Sequence, residues 1–203
     1  MSRALLLEAI RGRPTPRPAW VPYVGCHGGR LIGRPADEYL RSADLLVQGL
    51  TTAAALYRPD GLPVMFDLQL EAELLGCRLH WAPDVPPSVV DHPLETAPLA
   101  SLPPFDPYAG RLGMAFGALA TLRERFGDEL GWYALVCGPF TLANHLRGHS
   151  LFFDMCDEPA RVAELMAFCR DVAVRSASAW IEAGADIVAI VDPMVSQIST
   201  EDF

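Results

Sequence analysis

Residues 132–137, WYALVC, are apolar or aromatic at every position and too few to make a helix of ordinary length. Such a run suits a strand covered on both faces, as in a parallel sheet. Gly138-Pro139 ends it, and from Phe140 the sequence reads as a helix with Thr141 near its first turn. A buried strand that stops in Gly-Pro and turns into a helix is a βα unit. In barrels and open α/β sheets, ligands collect at that end of the strands. The same spacing also describes a βα connection with no further role.

The rest of the chain repeats this grammar. Ser2 to Arg11 predicts an opening helix stopped by Gly12, and Pro14, Pro16 and Pro18 form a stiff approach to a first strand over Ala19–Val24. A glycine-rich loop comes next at Gly25-Cys26-His27-Gly28-Gly29-Arg30, without the GxGxxG spacing of a dinucleotide site. Pro35 to Tyr57 predicts one long helix with Leu40, Val47, Leu50 and Ala54 facing inward. Leu62–Phe66 predicts a second buried strand ending in Asp67, and Leu68–Leu75 a short helix stopped by Gly76. Arg78–Trp81 and Ser88–Val90 predict a small hairpin. A helix over Tyr108–Phe126, the strand at 132, a connector over His149–Asp157 and a long helix over Glu158–Ala183 come next. Ala163, Met166, Ala167, Val174, Ala177 and Ile181 form the expected inner stripe of that long helix. Asp186–Val191 predicts the fourth strand, ending in Asp192-Pro193. The order is α/β with a parallel sheet and helical returns, in a single domain over 1–203.

Half of the 203 residues are apolar, enough for one sizeable core. The net charge of −9 is spread along the chain, and no basic cluster points to nucleic acid. No apolar run is long enough to span a membrane, and no signal peptide is evident. Five cysteines without a CxxC pair fit reduced thiols and a cytoplasmic location. Ser199-Thr200-Glu201-Asp202-Phe203 reads as the capped start of a further helix. A helix without a body buries nothing, so the expectation is that the polypeptide is cut short or that a partner supplies the rest of the packing.

Two carboxylates, Asp67 and Asp192, stand directly after buried strands. There they can hold a cation or move a proton; equally, they can cap a helix or pair with an arginine. Arg30 comes after a cluster of glycines and can clamp a carboxylate bidentately, or be a surface arginine on a loop. His145 and His149 are four apart, but Gly148 ends the helix between them and no HExxH pattern is present, so the pair is not read as a metal site. Cys26, His27 and Cys137 follow strands at the same rim and could help bind a soft metal such as zinc, though their spacing does not require it.

Taken together, these pieces resemble the uroporphyrinogen decarboxylase superfamily, which includes decarboxylases and cobalamin-dependent methyltransferases. The resemblance rests on GGR at 28–30, FDLQLEAELLGC at 66–77, PPSVVDHPL at 86–94, GPFTLANHLRG at 138–148 and GADIVAIVDPMVS at 184–196, in that order and spacing. It implies a (β/α)8 TIM barrel with its site at the C-terminal rim, of which this chain would be about the first four βα units. Half a barrel leaves two open edges, so self-association or a complementary half-barrel is expected. Asp67 matches the essential aspartate of the decarboxylases and Arg30 the second arginine of their RxxxR pair. The first arginine falls on Cys26, and the tyrosine of the GxPWTLxxY region falls near His145.

The methyltransferase branch resembles this chain more closely in texture. It implies transfer of a methyl group from a methyl-corrinoid, or a corrinoid protein, to a thiol or similar acceptor. Zinc would be held by ligands outside these residues, and the chain alone would be catalytically incomplete. The alternatives are cofactor-free decarboxylation of a tetrapyrrole by a porphyrin-pathway lyase, and a non-catalytic fragment or assembly module. On the first reading Asp67 is the catalytic carboxylate, Arg30 binds an anionic substrate edge, and His27, His145 and Asp192 line the rim. Asp67→Ala is then expected to abolish activity of the complete enzyme and leave its fold largely intact.

Overall fold

The computed structural model describes residues 1–201. Its centre is β4, Gly131–Cys137, buried along its whole length. Two neighbours make it so. β1 (Gly61–Pro63) pairs parallel on one edge, Leu62 opposite Trp132, and β5 (Ile187–Val191) pairs parallel on the other, Leu135 opposite Ala189. The sheet order is β1-β4-β5. All three strands run the same way, so Asp67, Gly138 and Asp192 leave from one end of the sheet.

The described parallel sheet has three strands where the sequence predicts four. Ala19–Val24 is extended but makes no ladder. Pro18 and Pro22 supply no N–H donors, and a proline in a strand interior breaks its pairing. The segment is held instead by Asp60, whose buried carboxylate accepts from Trp20 N at 3.0 Å and from both Arg17 terminal nitrogens at 2.5 and 2.8 Å. Leu79–His80 (β2) and Ser88–Val89 (β3) form the expected antiparallel hairpin.

Helices cover the sheet. α1 (Arg3–Ile10) is latched by Arg3, whose guanidinium donates to Asp186 at 2.7 and 2.9 Å. The long helix expected from Pro35 is broken into α3 (Ala36–Tyr39) and α4 (Ala43–Tyr57). Ser42 is the cause: its hydroxyl accepts from Leu45 N and starts a new helix. Within the expected loop, His27–Leu31 forms the short α2. After β1 come α5 (Leu70–Leu74) and then, past the hairpin, α6 (Gly110–Phe126). Leu112, Ala115, Leu119 and Leu122 of α6 are spaced at three and four residues and are all fully buried.

α7 (Pro139–Arg147) comes directly after β4, and the expected connector is itself a helix, α8 (Ser150–Asp157). α9 (Pro159–Glu182) buries Leu165, Cys169, Val172, Ala173, Ser176, Ala179 and Trp180. The stripe expected from hydropathy is rotated from this one. Ala163, Ala167, Val174 and Ile181 face solvent, and Met166 and Ala177 are half-buried. Small polar residues, Cys169 and Ser176, take core places where the helix comes close to the sheet. Pro193–Gln197 is a 3₁₀ turn. Of the helix expected from Ser199, Thr200 and Glu201 lie in a turn, and Asp202 and Phe203 lie outside the described residues.

No described helix is long and apolar enough to cross a membrane.

Candidate active site

β1 is short, but its chain continues alongside β4 at Val64, which donates to Tyr133 O at 3.1 Å. It then turns at Asp67. The Asp67 side chain is wholly enclosed, yet both oxygens are used. Oδ1 accepts from Gln69 N at 2.8 Å, which sets the turn into α5. Oδ2 accepts from Arg111 Nη1, on the first turn of α6. Arg111 also donates through Nε to Glu73 at 2.7 Å. Its guanidinium lies 4.8 Å from the centre of the Trp81 ring, next to the hairpin, and Arg41 approaches the same ring at 5.2 Å. Two carboxylates thus share one buried arginine, and an aromatic face covers it.

Cys26 lies within reach of both Asp67 and Arg30. Burial pushes its thiol pKa up, Asp67 adds to the rise, and Arg30 opposes it. Asp67 and Arg30, to which the sequence assigns the largest roles, hold different partners: Asp67 binds Gln69 N and Arg111, and Arg30 turns to Asp84. Arg30 is exposed, and its Nη2 donates to Asp84 O at 3.1 Å in the hairpin loop. The neighbouring glycines serve packing. A Cβ on Gly28 or Gly29 would run into Tyr39, whose ring fills the space that the glycines suggest for a ligand.

Asp192 stands at the Gly138 turn. One oxygen accepts from Phe140 N at 2.9 Å, and the other from Thr141 N at 2.7 Å and Thr141 Oγ1 at 2.6 Å. The carboxylate after β5 caps the helix after β4, so both oxygens hold the first turn of α7. Asp67 and Asp192 both act electrostatically on the buried Cys137 thiol, whose pKa is pushed well up, first by burial.

The two histidines sit apart from this group. His27 Nε2 is 2.7 Å from Tyr57 Oη on α4 and is exposed. His145 lies two turns into α7, about 9 Å along its axis from the start. Its carbonyl accepts from Cys77 Sγ at 3.4 Å and lies 2.8 Å from His92 Nδ1. Burial, with His92 adding to it, lowers its pKa to about 4, so the ring is neutral at ordinary pH.

Sequence reasoning missed Arg111, Glu73, Trp81 and Glu71. Glu71 and Glu73 carry a signal in hindsight: LEAEL places one of two acids one helical turn beyond Asp67. Among the described residues no group of three or more His, Cys, Asp or Glu is arranged to hold a metal ion.

With the three strand ends, the buried aspartate and the Gly-Pro turn on one rim, the comparison with known proteins is direct. A family model for uroporphyrinogen decarboxylase (URO-D) matches residues 1–203, and the chain belongs to that family. A methylcobamide:CoM methyltransferase MtbA from Methanosarcina acetivorans is 36% identical over 140 residues, covering 68% of this chain and 41% of the relative. A methylated-thiol–coenzyme M methyltransferase from Methanosarcina mazei is 33% identical over 159 residues, covering 74% of this chain and 43% of the relative. A uroporphyrinogen decarboxylase from Gloeobacter violaceus is 26% identical, covering 100% of this chain and 62% of the relative. A solved methyltransferase structure from Methanosarcina mazei superposes with a TM-score of 0.88 at 23% identity, over 98% of this chain and 61% of that one, and so shares the fold. The chain thus spans less than two thirds of the length of these relatives.

Proposed function

We propose that residues 1–203 are the N-terminal part of a (β/α)8 barrel enzyme of the methyltransferase branch. The complete protein transfers a methyl group from a methyl-corrinoid, free or on a corrinoid protein, to a thiol or similar acceptor. The observation that carries this reading is the split in identity: 36% to a methylcobamide:CoM methyltransferase against 26% to a decarboxylase. Cys26 supports it, since it stands where the decarboxylases have the first arginine of their carboxylate clamp.

In this reading Arg30 binds an anionic edge of the substrate. Asp67 is the rim carboxylate, held in place by Arg111 and by the amide of Gln69. Asp192 shapes the Gly138 turn, His27 sits against Tyr57 on α4, and His145 lies two turns down α7 beside His92. The resemblance to the methyltransferases implies zinc ligands outside these residues, and no step is assigned to a metal in this chain. The open edge of β5 is where that remainder would add its strands. Ile190 is 63% exposed there, beside an apolar groove of about 570 Å³ lined by Phe140, Met166, Val195 and Ile198. The five free thiols fit a cytoplasmic place.

The test is incubation of the complete protein with methylcobalamin and a thiol such as coenzyme M. Loss of the methylcobalamin absorbance together with thioether formation is the expected result. A second reading, tetrapyrrole decarboxylation, draws on the decarboxylases matching 97–100% of this chain. Stepwise loss of carboxylates from uroporphyrinogen, with no methyl transfer, would establish that reading and sink the first.

A further inference from the structure

Glu71 lies one helical turn beyond Asp67, on α5, and is 1% exposed. Both carboxyl oxygens are buried and have no hydrogen-bond partner. Its polar neighbours outside its own backbone are the Ser176 hydroxyl of α9 and the backbone at Cys137, where β4 ends. The Ser176 Oγ is itself unpartnered. The neighbouring Cys137 backbone puts the Glu71 carboxyl beside the end of β4.

The charges around it favour a neutral form. On its own segment the acting charge is Asp67, of like sign. From α6, Arg111 is engaged by Asp67 and Glu73. From β4 and α9 come the thiols of Cys137 and Cys169, and from beyond β5 the carboxylate of Asp192, all three sharing the Cys137 environment. Enclosing a carboxylate without a counter-ion is costly, and such a group keeps its proton instead.

We propose that Glu71 is a positioning residue for the Asp67 turn: as an uncharged carboxylic acid it seats α5 between the end of β4 and α9, and on ionising it loosens that seat. The mechanical link is short. Gln69, whose N–H holds Asp67 Oδ1, is the residue that starts α5. Displacing α5 displaces the amide that orients the aspartate. Burial pushes the Glu71 pKa up from its ordinary 4.5 to about 7, so the change falls in the physiological range. Between about pH 4.5 and 7 the folded chain keeps a proton that the unfolded chain has lost, so stability falls as pH rises through that window and then levels off. The consequence for catalysis rests on the reading of Asp67 given above. The protonation and the turn are measured without substrate, so the two ideas fail separately.

The experiment is infrared spectroscopy and amide exchange on the full chain from about pH 5.5 to 8.5, for wild type and Glu71→Gln. With ¹³C-glutamate labelling, the wild-type-minus-Glu71→Gln difference spectrum is expected to show a protonated glutamic acid carbonyl band at pH 5.5 that fades towards pH 8.5, the contribution of the other glutamates cancelling. The protection factor of the Gln69 amide should fall about tenfold over the same interval in wild type and stay level in the variant. Absence of the band at pH 5.5 would show an ionised Glu71 and overturn the proposal. A band that titrates while Gln69 protection stays constant would overturn the positioning role. If Glu71→Gln does not fold, Glu71→Met serves as the second variant, and the labelled difference spectrum against it decides the protonation state.

Discussion

Arg111→Met is expected to destabilise the chain by about 3–5 kcal/mol, because it leaves the enclosed Asp67 carboxylate without its cation and takes the same cation from the partly exposed Glu73. Asp67 has no exposed side-chain surface and takes one of its two hydrogen bonds from this guanidinium. Methionine keeps the length of the arginine stem but not the guanidinium that lies over Trp81, so the loss includes that stacking as well as the charge. For a chain of this size the loss corresponds to a fall in Tm of about 10 °C, read by thermal unfolding or as a shift in the urea midpoint. Arg111→Lys should recover only part of it. A single ammonium is a point charge and cannot present separate N–H groups to Asp67 and Glu73 as the planar fork does. The double variant Arg111→Met, Asp67→Asn should be more stable than Arg111→Met alone, since the stranded charge is gone. Simple addition of the two single losses would show that the pair is not coupled. The ion pair also revises the expectation that Asp67→Ala spares the fold. Removing the aspartate leaves Arg111 with Glu73 alone, and its Nη2 is already buried without a partner, so loss of activity and loss of stability should arrive together.

How much of this is legible in the sequence depends on how local the cause is. β4 and α7 are readable because an unbroken apolar run that ends in Gly-Pro has few other uses. The sheet end carrying Asp67, Gly138 and Asp192 is readable for the same reason: Gly138 and Asp192 come directly after their strands, and Asp67 comes four residues after β1. The fate of Ala19–Val24 is not readable, because it depends on donors that Pro18 and Pro22 lack and on Asp60, some forty residues away. Ser42 could signal the break between α3 and α4, but the apolar stripe on either side conceals it. The inner face of α9 is misjudged because hydropathy rewards Val174 and Ile181, which are 58% and 62% exposed, over Cys169 and Ser176, which fit a narrow gap. Arg111 is illegible for a different reason. It is 44 residues from Asp67, and nothing in a single sequence says which arginine reaches which aspartate. The glycines before Arg30 suggest room for a ligand, when the room belongs to Tyr39.

Gly138→Ala is expected to cost about 2–4 kcal/mol, and the reason is contact alone. Gly138 has φ −67° and ψ 153°, which any residue adopts, so no backbone strain enters. A Cβ there would lie 2.5 Å from Asp192 Oδ2 and closer still to its Cβ and Cγ. Either β5 moves away from β4 or the carboxylate leaves the start of α7. The second course is the easier one, since Asp192 is half-exposed on the sheet edge while β4 and β5 share a five-residue register. Phe140 N, Thr141 N and Thr141 Oγ1 then lose their acceptor together. Loss of a helix cap by itself costs about 0.5–2 kcal/mol, and the forced overlap adds about 1–3. Amide exchange should report this directly: the Phe140 and Thr141 amides lose protection in Gly138→Ala while Leu135 and Val136 keep theirs. Asp192→Gly removes the cap but also the obstacle, so the double variant should be no less stable than Asp192→Gly alone. If Gly138→Ala leaves the urea midpoint unchanged, the close approach of Asp192 to the Gly-Pro turn is not what fixes the rim, and β5 is free to shift against β4 at its C-terminal end.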